Sequence, residues 1–383
     1  MAVADLPAPH RRALAEIACR GHVSRGELGL RLDLPKATVS GIVRNLIDRG
    51  LVVSLELAVS GRPGRPAEVL TLAVRPSAIG IVCWSTGTLR LAVATPSGQI
   101  LAEDTHSVSG HEVSLDTAAE LLTKLVGTAG YATADLACVV LGVPAPYQRG
   151  VGLPARPGHG FITWLRNDPA ADLAAQLGTR VLIENDANLG ALGEYAFGAG
   201  RERHSFVYVK LGEYSVGAGL VLNGWLYRGV TGFAGELAHI QIDADGPLCA
   251  CGGRGCLIHT IGAGLIDVAQ PAYDQPLTYP AMLSLAAEGD AGMTRLLRDL
   301  GRTVGRPLAD ACTMLNPEAI IVDGIAGAAG RPIIDGIAEA IERFAAPPAA
   351  DAVEVVGGAT PADAEVLGAV ALARHEVDVA AAL

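Results

Sequence analysis

The sequence has no long apolar run, although half of its 383 residues are hydrophobic. No uncharged stretch reaches the roughly 18 residues that a membrane-spanning helix requires. The first residues also differ from a signal peptide, because Asp5 and the pair Arg11 and Arg12 occur without an apolar core between them. We therefore expect a cytoplasmic protein with no membrane partner, long enough for two or three domains with a large buried core.

The chain also lacks the overall positive charge that is typical of proteins that bind nucleic acids along their whole length. Its net charge is −11. The charge is unevenly distributed, since residues 1–75 contain 11 Lys and Arg against 7 Asp and Glu, and the remaining residues carry the entire acidic excess. A basic N-terminal segment on an acidic body predicts that only this segment contacts a polyanion.

Cysteine is infrequent outside one short stretch. Three of the seven cysteines lie in "CACGGRGC", and the other four are scattered through apolar segments, at Cys19, Cys83, Cys138 and Cys312. We predict that the scattered four are small core residues. In a reducing cytoplasm, clustered cysteines are more often metal ligands than disulfides. Free thiols or an adventitious disulfide are the alternatives for the cluster.

The basic N-terminal segment predicts three short helices. "HRRALAEIACRG" has an apolar face and ends at Gly21, and Ser24 with Glu27 forms a capping box at the start of the second helix. Pro35 suits the first turn of a third helix, which Gly50 ends. Two β-type runs then flank "SGRPGRP". This succession predicts a helix-turn-helix followed by a β-hairpin, as in a winged helix.

The third helix is the candidate DNA-reading element, because the second helix of a helix-turn-helix enters the major groove with its N-terminal residues first. Its polar face offers three side chains that could reach base edges or phosphates, Lys36, Thr38 and Ser40. A fourth, Arg44, is placed to reach phosphate. At the hairpin tip, Arg62 and Arg65 are predicted to enter a minor groove, whose negative potential attracts arginine. The alternatives are a solvated helix face and an ordinary hairpin or linker.

From Ala78 onwards the pattern changes to short β-rich runs that alternate with helical segments. This alternation predicts an α/β domain. A second series of strands begins after the helical segment "LGALGEYAFGAG". Two similar lobes with a cleft between them are therefore the expected architecture.

Several segments of the chain resemble the ROK family, which is named for repressors, open reading frames and sugar kinases. "GELAHIQIDADGPLCACGGRGC" resembles the family's Glu-x-Gly-His followed by Cys-x-Cys-Gly-x-x-Gly-Cys, "IENDANLGALGE" its Asn-Asp-Ala-Asn segment, and "LGVPAPY" its Gly-x-Pro-Gly-Pro loop. A winged helix with "GRPGRP" is the layout of the family's repressors. The resemblance implies a winged helix-turn-helix over residues 1–75 and a two-lobed actin-like, ribonuclease H-like ATPase fold over 76–383. Lobe one is expected at about 76–190 with the C-terminal helix, and lobe two at about 191–367.

A tetrahedral zinc ion prefers four ligands such as one imidazole and three thiolates. The chain offers this set as His239, Cys249, Cys251 and Cys256. Four protein ligands leave no open position, so we expect one structural Zn²⁺ per chain and not a catalytic metal. In ROK proteins the segments around Glu236 and after Cys256 line the sugar pocket. The resemblance therefore implies that the metal braces this pocket.

The resemblance also implies an effector site for a sugar-like ligand, formed by Asn185, Asp186, Glu236 and His239. In ROK kinases the Asp of the Asn-Asp pair is the general base, and Asp186 occupies its position. Ile258 replaces a family Glu that contacts the sugar, which removes a strong hydrogen-bond acceptor, and Ala238 and Ala145 replace family glycines. A less polar or modified sugar, a non-sugar metabolite or no small ligand are all compatible with these changes.

Phosphoryl transfer also needs a cradle for the phosphates of ATP. In the first phosphate loop, Cys83 takes the place of the family's Asp and Trp84 stands where its glycines begin. In the second loop, Glu213 adds a negative charge where triphosphate would lie. Both changes oppose ATP binding, because close approach to phosphate needs backbone free of bulky side chains. We therefore predict that the protein is not an enzyme.

The sequence specifies neither the operator nor the effector, but it favours one class of protein. The leading hypothesis is a ROK-type transcriptional regulator that represses genes of carbohydrate or related metabolism. A homodimer or homotetramer would bind double-stranded operator DNA, and a sugar-like effector would shift it between DNA-competent and DNA-weak states. The alternatives are an ATP-dependent sugar kinase of the hexokinase or glucokinase type with a DNA-binding head, and a protein that binds DNA without an effector.

Overall fold

The computed structural model describes residues 6–20, 23–57, 67–73, 78–85, 87–108, 114–148, 152, 168–212, 215–261, 263–324, 330–360 and 362–378. The chain forms two compact units. The first comprises Met1–Val143, Asp168–Glu184 and Glu365–Leu383, and the second comprises Pro144–Asn167 and Asn185–Ala364. Within the described ranges, no helix combines the length and apolar character needed to cross a membrane.

The N-terminal segment forms the predicted winged helix. Its elements are α1 (Ala8–Arg20), α2 (Arg25–Leu32), α3 (Lys36–Asp48), β1 (Val52–Leu57) and β2 (Ala67–Leu72), and the two strands are antiparallel. The capping box is present: the backbone N–H of Glu27 donates to Ser24 Oγ at 3.2 Å, and the N–H of Ser24 donates to Glu27 Oε2 at 2.8 Å. The predicted hairpin tip with Arg62 and Arg65 lies outside the described residues.

The core of the winged helix orients α3. The apolar stripe of this helix is buried against α1 and β1, and its members are Val39, Ile42, Val43 and Leu46. Leu14 and Ile17 of α1 complete the same core. Because one face of α3 is fixed inward by this packing, its polar face is directed to solvent.

A five-stranded mixed sheet follows in the first unit. It contains β3 (Ile79–Ser85), β4 (Thr88–Ala94), β5 (Ile100–Ser107), β6 (Cys138–Val143) and β7 (Val181–Asn185), with α4 (Leu115–Thr128) and α5 (Pro169–Leu177) between strands. The spatial order is β5-β4-β3-β6-β7. Strands β3 to β5 pair antiparallel, and β6 joins β3 in parallel.

The second unit repeats this strand order. After α6 (Asp186–Phe197) it contains β8 (Phe206–Leu211), β9 (Val216–Leu222), β10 (Trp225–Tyr227), β11 (Ala319–Gly324) and β12 (Glu354–Gly357), in the order β10-β9-β8-β11-β12. The remaining helices are α7 (Ala263–Ala269), α8 (Tyr279–Ala287), α9 (Ala291–Leu315), α10 (Arg331–Phe344), α11 (Pro347–Ala352) and, at the passage to the first unit, α12 (Ala364–Ala373). The duplicated order confirms the predicted pair of similar α/β lobes.

The predicted boundary between residues 75 and 76 lies among residues outside the described ranges, and the division of the chain at that point stays a prediction. The scattered cysteines behave as expected where they are described, since Cys83, Cys138 and Cys312 are all buried. The side chain of Cys19 lies outside the described residues.

Helix α6 lies unusually close to the second sheet. A Cβ atom at Gly219 of β9 would lie 2.5 Å from the Cβ of Ala191 and 2.7 Å from the carbonyl oxygen of Ala187. On the neighbouring strand, the ring of Tyr208 occupies the space that a side chain at Gly190 would need. This contact fixes α6 relative to the ends of β8 and β9, where the candidate site lies.

The close contact predicts that Gly219→Ala destabilises the protein. The added methyl group meets the backbone of α6, and overpacking of this kind costs about 1–3 kcal/mol. Thermal unfolding should show a melting temperature lower by roughly 5 °C. Gly127→Ala in α4 is the matched control, because nothing lies within 4 Å of its Cβ position and alanine favours a helix. Equal melting temperatures for both variants would contradict the role of this contact.

Candidate functional site

The amino terminus of α6 carries two of the predicted site residues. Asn185 is the N-cap: its Oδ1 accepts a hydrogen bond from the N–H of Asn188 at 3.0 Å, and its Nδ2 donates to the carbonyl oxygen of Ala145 at 3.3 Å. Asp186 follows as the first helical residue, and its Oδ1 accepts from the N–H of Ala187 at 2.8 Å. Asn185 therefore joins the start of α6 to the segment that contains Ala145.

Asp186 forms an ion pair with Lys210 of β8. The distance from Nζ to Oδ2 is 2.7 Å, and the side chains are only 12% and 11% exposed. Lys210 is not among the residues that the sequence patterns predicted. The signal that points to it is a lysine within the otherwise apolar strand "FVYVKL", because a buried lysine needs a partner for its charge.

Glu236 is the second carboxylate of the site. Burial, and then the negative charge of Asp186, raise the pKa of Glu236 to about 7. The two carboxylates are therefore close enough to repel each other. Among the described residues the structure records no hydrogen bond to the carboxyl group of Glu236, so this group is available to a ligand.

The four predicted metal ligands lie together. The ligand atoms of His239, Cys249, Cys251 and Cys256 all lie within 4.8 Å of one another. His239 Nδ1 is 3.5 Å from Cys249 Sγ, and the sulfur atoms of Cys251 and Cys256 are 3.6 Å apart. Two atoms bound to one tetrahedral zinc ion at the usual bond lengths would be about 3.5–3.8 Å apart. The cluster is therefore able to hold a metal ion of this kind.

The loop that carries the cluster is shaped by glycine. Gly252 and Gly255 have φ of +88° and +60°, and a Cβ atom at Gly255 would overlap the carbonyl oxygen of Asp243. The N–H of Gly253 donates to Cys251 Sγ at 3.3 Å. Only glycine fits these turns without strain, so the loop turns tightly enough to bring the sulfur atoms together.

The thiols have different acidities in the absence of a metal. Burial, together with the neighbouring thiols of Cys251 and Cys249, raises the pKa of Cys256 to about 12. Burial acts in the same direction on Cys251, but the N–H of Gly253 and the two other thiols outweigh it and lower its pKa below the ordinary value. A bound cation would lower the pKa of each of these thiols, because it stabilises every thiolate that it contacts.

The cluster joins two short 3₁₀ turns, Leu237–His239 and Leu257–Thr260. The N–H of Leu257 donates to the carbonyl oxygen of Ile240 at 3.0 Å. Leu257 is fully buried, and Ile258 packs against the same core. The cluster therefore holds the segment that carries Glu236 beside the segment in which Ile258 replaces the family's Glu.

The DNA-reading candidates and the first phosphate loop lie in the first unit. Lys36, Thr38 and Arg44 are exposed on α3, and Ser40 is half-buried. Cys83 and Trp84 are buried residues of β3, with Trp84 only 4% exposed. Glu213 lies outside the described residues.

Comparison with family models identifies the larger part of the chain. A model of the ROK family matches residues 85–376. The chain belongs to the ROK family. A model of the MarR family matches residues 4–63, which contain the helices of the winged helix.

Individual relatives of this ROK protein include both repressors and kinases. The xylose repressor of Bacillus spizizenii is 27% identical over 315 residues, which are 81% of this chain and 80% of the repressor. The glucokinase of Thermotoga maritima is 28% identical over 255 residues, 62% of this chain and 80% of the kinase. A crystal structure of a ROK family transcriptional regulator, a homologue of the Escherichia coli MLC protein, superposes with a TM-score of 0.70 at 22% identity. The superposition covers 97% of this chain and 99% of the regulator's chain. It confirms the fold of a winged helix joined to a ROK domain.

Proposed function

We propose that this ROK protein is a DNA-binding transcriptional repressor of carbohydrate or related metabolism, which responds to a sugar-like effector. The observation that carries the proposal is the winged helix, with α3 packed through one face and its polar face exposed. The relatives named xylose repressor support the metabolic context. In this proposal residues 1–75 bind DNA, and residues 76–383 bind the effector and form the oligomer.

DNA recognition is assigned to α3 and to the hairpin that follows it. The start of α3 supplies three side chains that reach base edges or phosphates, namely Lys36, Thr38 and Ser40. Farther along the helix, Arg44 reaches phosphate. Arg62 and Arg65 enter the adjacent minor groove. A homodimer, or a tetramer built from dimers, binds two half-sites because one winged helix reads only a few base pairs.

Footprinting and gel shift with the DNA upstream of the protein's own gene test this assignment. We expect sequence-preferring binding, which Arg44→Ala weakens by a similar factor on every sequence. The slope of log K against log salt concentration should fall by about 1 per phosphate contact removed. Arg331→Ala in α10 is the control, since this side chain is 83% exposed and lies in the second unit. Binding without sequence preference at moderate salt would overturn the proposal.

The effector site is assigned to Asn185, Asp186, Glu236 and His239. Asn185 contributes by position, because its amide group is occupied by Asn188 and Ala145. Asp186 and Glu236 offer carboxylate oxygens to a ligand, and His239 adds an imidazole. An effector acts only if it binds one state of the oligomer more tightly than the other.

We further propose that the protein does not transfer phosphate. Backbone must approach phosphate closely in the first loop of a ROK kinase, and here that place in the sequence holds Cys83 and Trp84, which are part of a strand. Because relatives of the chain include glucokinases, an ATP-dependent sugar kinase is the second candidate function.

A coupled assay of ADP release separates the two candidates. With a panel of hexoses and amino sugars and with Mg²⁺-ATP, we expect no turnover above a protein-free control. Turnover that disappears in Asp186→Asn would show instead that Asp186 acts as a base, and it would establish the kinase. The Gly127→Ala variant serves as the matched preparation control.

The metal in the cluster is proposed to be one structural Zn²⁺ per chain, held by His239, Cys249, Cys251 and Cys256. Four protein ligands supply the tetrahedral set, and the distances between them fit it. When bound, the ion supplies a cross-link between the segments of Glu236 and Ile258. It takes no part in chemistry at the ligand.

Metal analysis of the purified protein should give about one zinc ion per chain. Cys251→Ser should lose most of it and lower the melting temperature, because the two 3₁₀ turns lose their cross-link. Cys312→Ala is the control: this thiol is buried in the core, and burial raises its pKa to about 11. It should keep the zinc despite some loss of stability. Zinc content that is unchanged in Cys251→Ser would exclude the proposed site.

A further inference from the structure

Lysine is rare in this chain. Of the 29 Lys and Arg residues only three are lysines, Lys36, Lys124 and Lys210. Lys210 is the one that lies in a buried strand, where burial of an unpaired ammonium group is strongly unfavourable. Neither the winged helix nor the cysteine cluster explains why a lysine is buried at this position.

The surroundings of Lys210 direct it to Asp186. Its neighbour in β9 is Gly217, which has no side chain and faces Ala187 of α6. The ammonium group can therefore extend along the sheet to the start of α6, where it contacts Asp186 Oδ2 at 2.7 Å. The other oxygen of Asp186 already accepts the N–H of Ala187.

Two further acidic groups face this pair. Glu236 lies close enough to Asp186 for their charges to repel. On β11, Asp323 is the register neighbour of Lys210, is fully buried and accepts a hydrogen bond from Tyr208 Oη at 3.0 Å. Lys210 is thus a cation placed among three carboxyl groups, and its shortest recorded contact is with Asp186.

We propose that Lys210 is a positioning residue that keeps Asp186 charged and hydrogen-bonded, so that Asp186 is a fixed acceptor for a ligand hydroxyl and not a base. A proton taken from a ligand hydroxyl would neutralise Asp186 and leave the buried ammonium group without its partner. Accepting a hydrogen bond leaves the ion pair intact. The inference rests on the proposed function, because it assigns a role to Asp186 within the effector site.

Thermal unfolding of the full-length protein at two pH values tests the pairing. Lys210→Met leaves Asp186 buried and unpaired, so we expect a melting temperature lower by roughly 5 °C or more at pH 8. At pH 5.5 the loss should be less than half as large, because Glu236, whose pKa is raised to about 7, is then neutral and no longer repels Asp186. Lys210→Arg should restore most of the loss at both pH values. Lys124→Met on the exposed face of α4 is the matched control and should show no such pH dependence.

A double variant identifies the partner of Lys210. In Asp186→Asn with Lys210→Met no unpaired charge remains at this position, so we expect the extra loss at pH 8 to disappear. A loss that is equal at both pH values would reduce Lys210 to a packing role and overturn the proposal. A loss that persists in the double variant would also overturn it, because Lys210 would then balance the charge of Asp323 or Glu236 instead. Gel shifts with the same variants measure DNA binding separately. A protein that does not bind DNA would contradict the proposed function, but the comparison of melting temperatures would still test the pairing of Lys210 with Asp186.

Discussion

The contact of α6 with β8 and β9 is the constraint on which the candidate site depends. Gly219 brings β9 against the backbone of α6, and Gly190 admits the ring of Tyr208. With no side chain to hold the layers apart, the start of the helix lies beside the end of β8, and Lys210 reaches Asp186 directly. A wider separation would place water between the two charges, and their attraction would be weaker in that more polar surrounding.

The parts of the structure that the sequence predicts well are those with short-range signals. Ser24 and Glu27 are three residues apart and form their capping box as predicted. The cysteines of the cluster lie within eight positions, and the glycines between them permit the tight turns that bring the sulfur atoms together. The alternation of strands and helices likewise predicts the two lobes, because each strand is a local run whose burial does not depend on which strand pairs with it.

Lys210 could not be assigned in the same way, because its meaning depends on distant residues. Its partner lies 24 positions earlier on another element, and its path is open only because Gly217 stands opposite it in β9. A lysine in an apolar strand signals an unusual position, but it does not identify which acidic group is its partner. The sequence likewise predicts Asn185 as a site residue without showing its distant contact: in the structure its amide caps α6 and donates to the carbonyl oxygen of Ala145.

The charges of the candidate site differ from those that the resemblance to ROK kinases implies. Ile258 takes the place of one carboxylate, and Lys210 balances the charge of Asp186. Glu236, with its pKa raised to about 7, is then the carboxyl group that can still exchange a proton with a ligand near neutral pH. In the proposed function such a site holds a polar ligand through hydrogen bonds, and Asp186, paired with Lys210, accepts a hydrogen bond instead of removing a proton. The close packing of α6 against β8 and β9 places these residues, so their charges can change while their positions are kept.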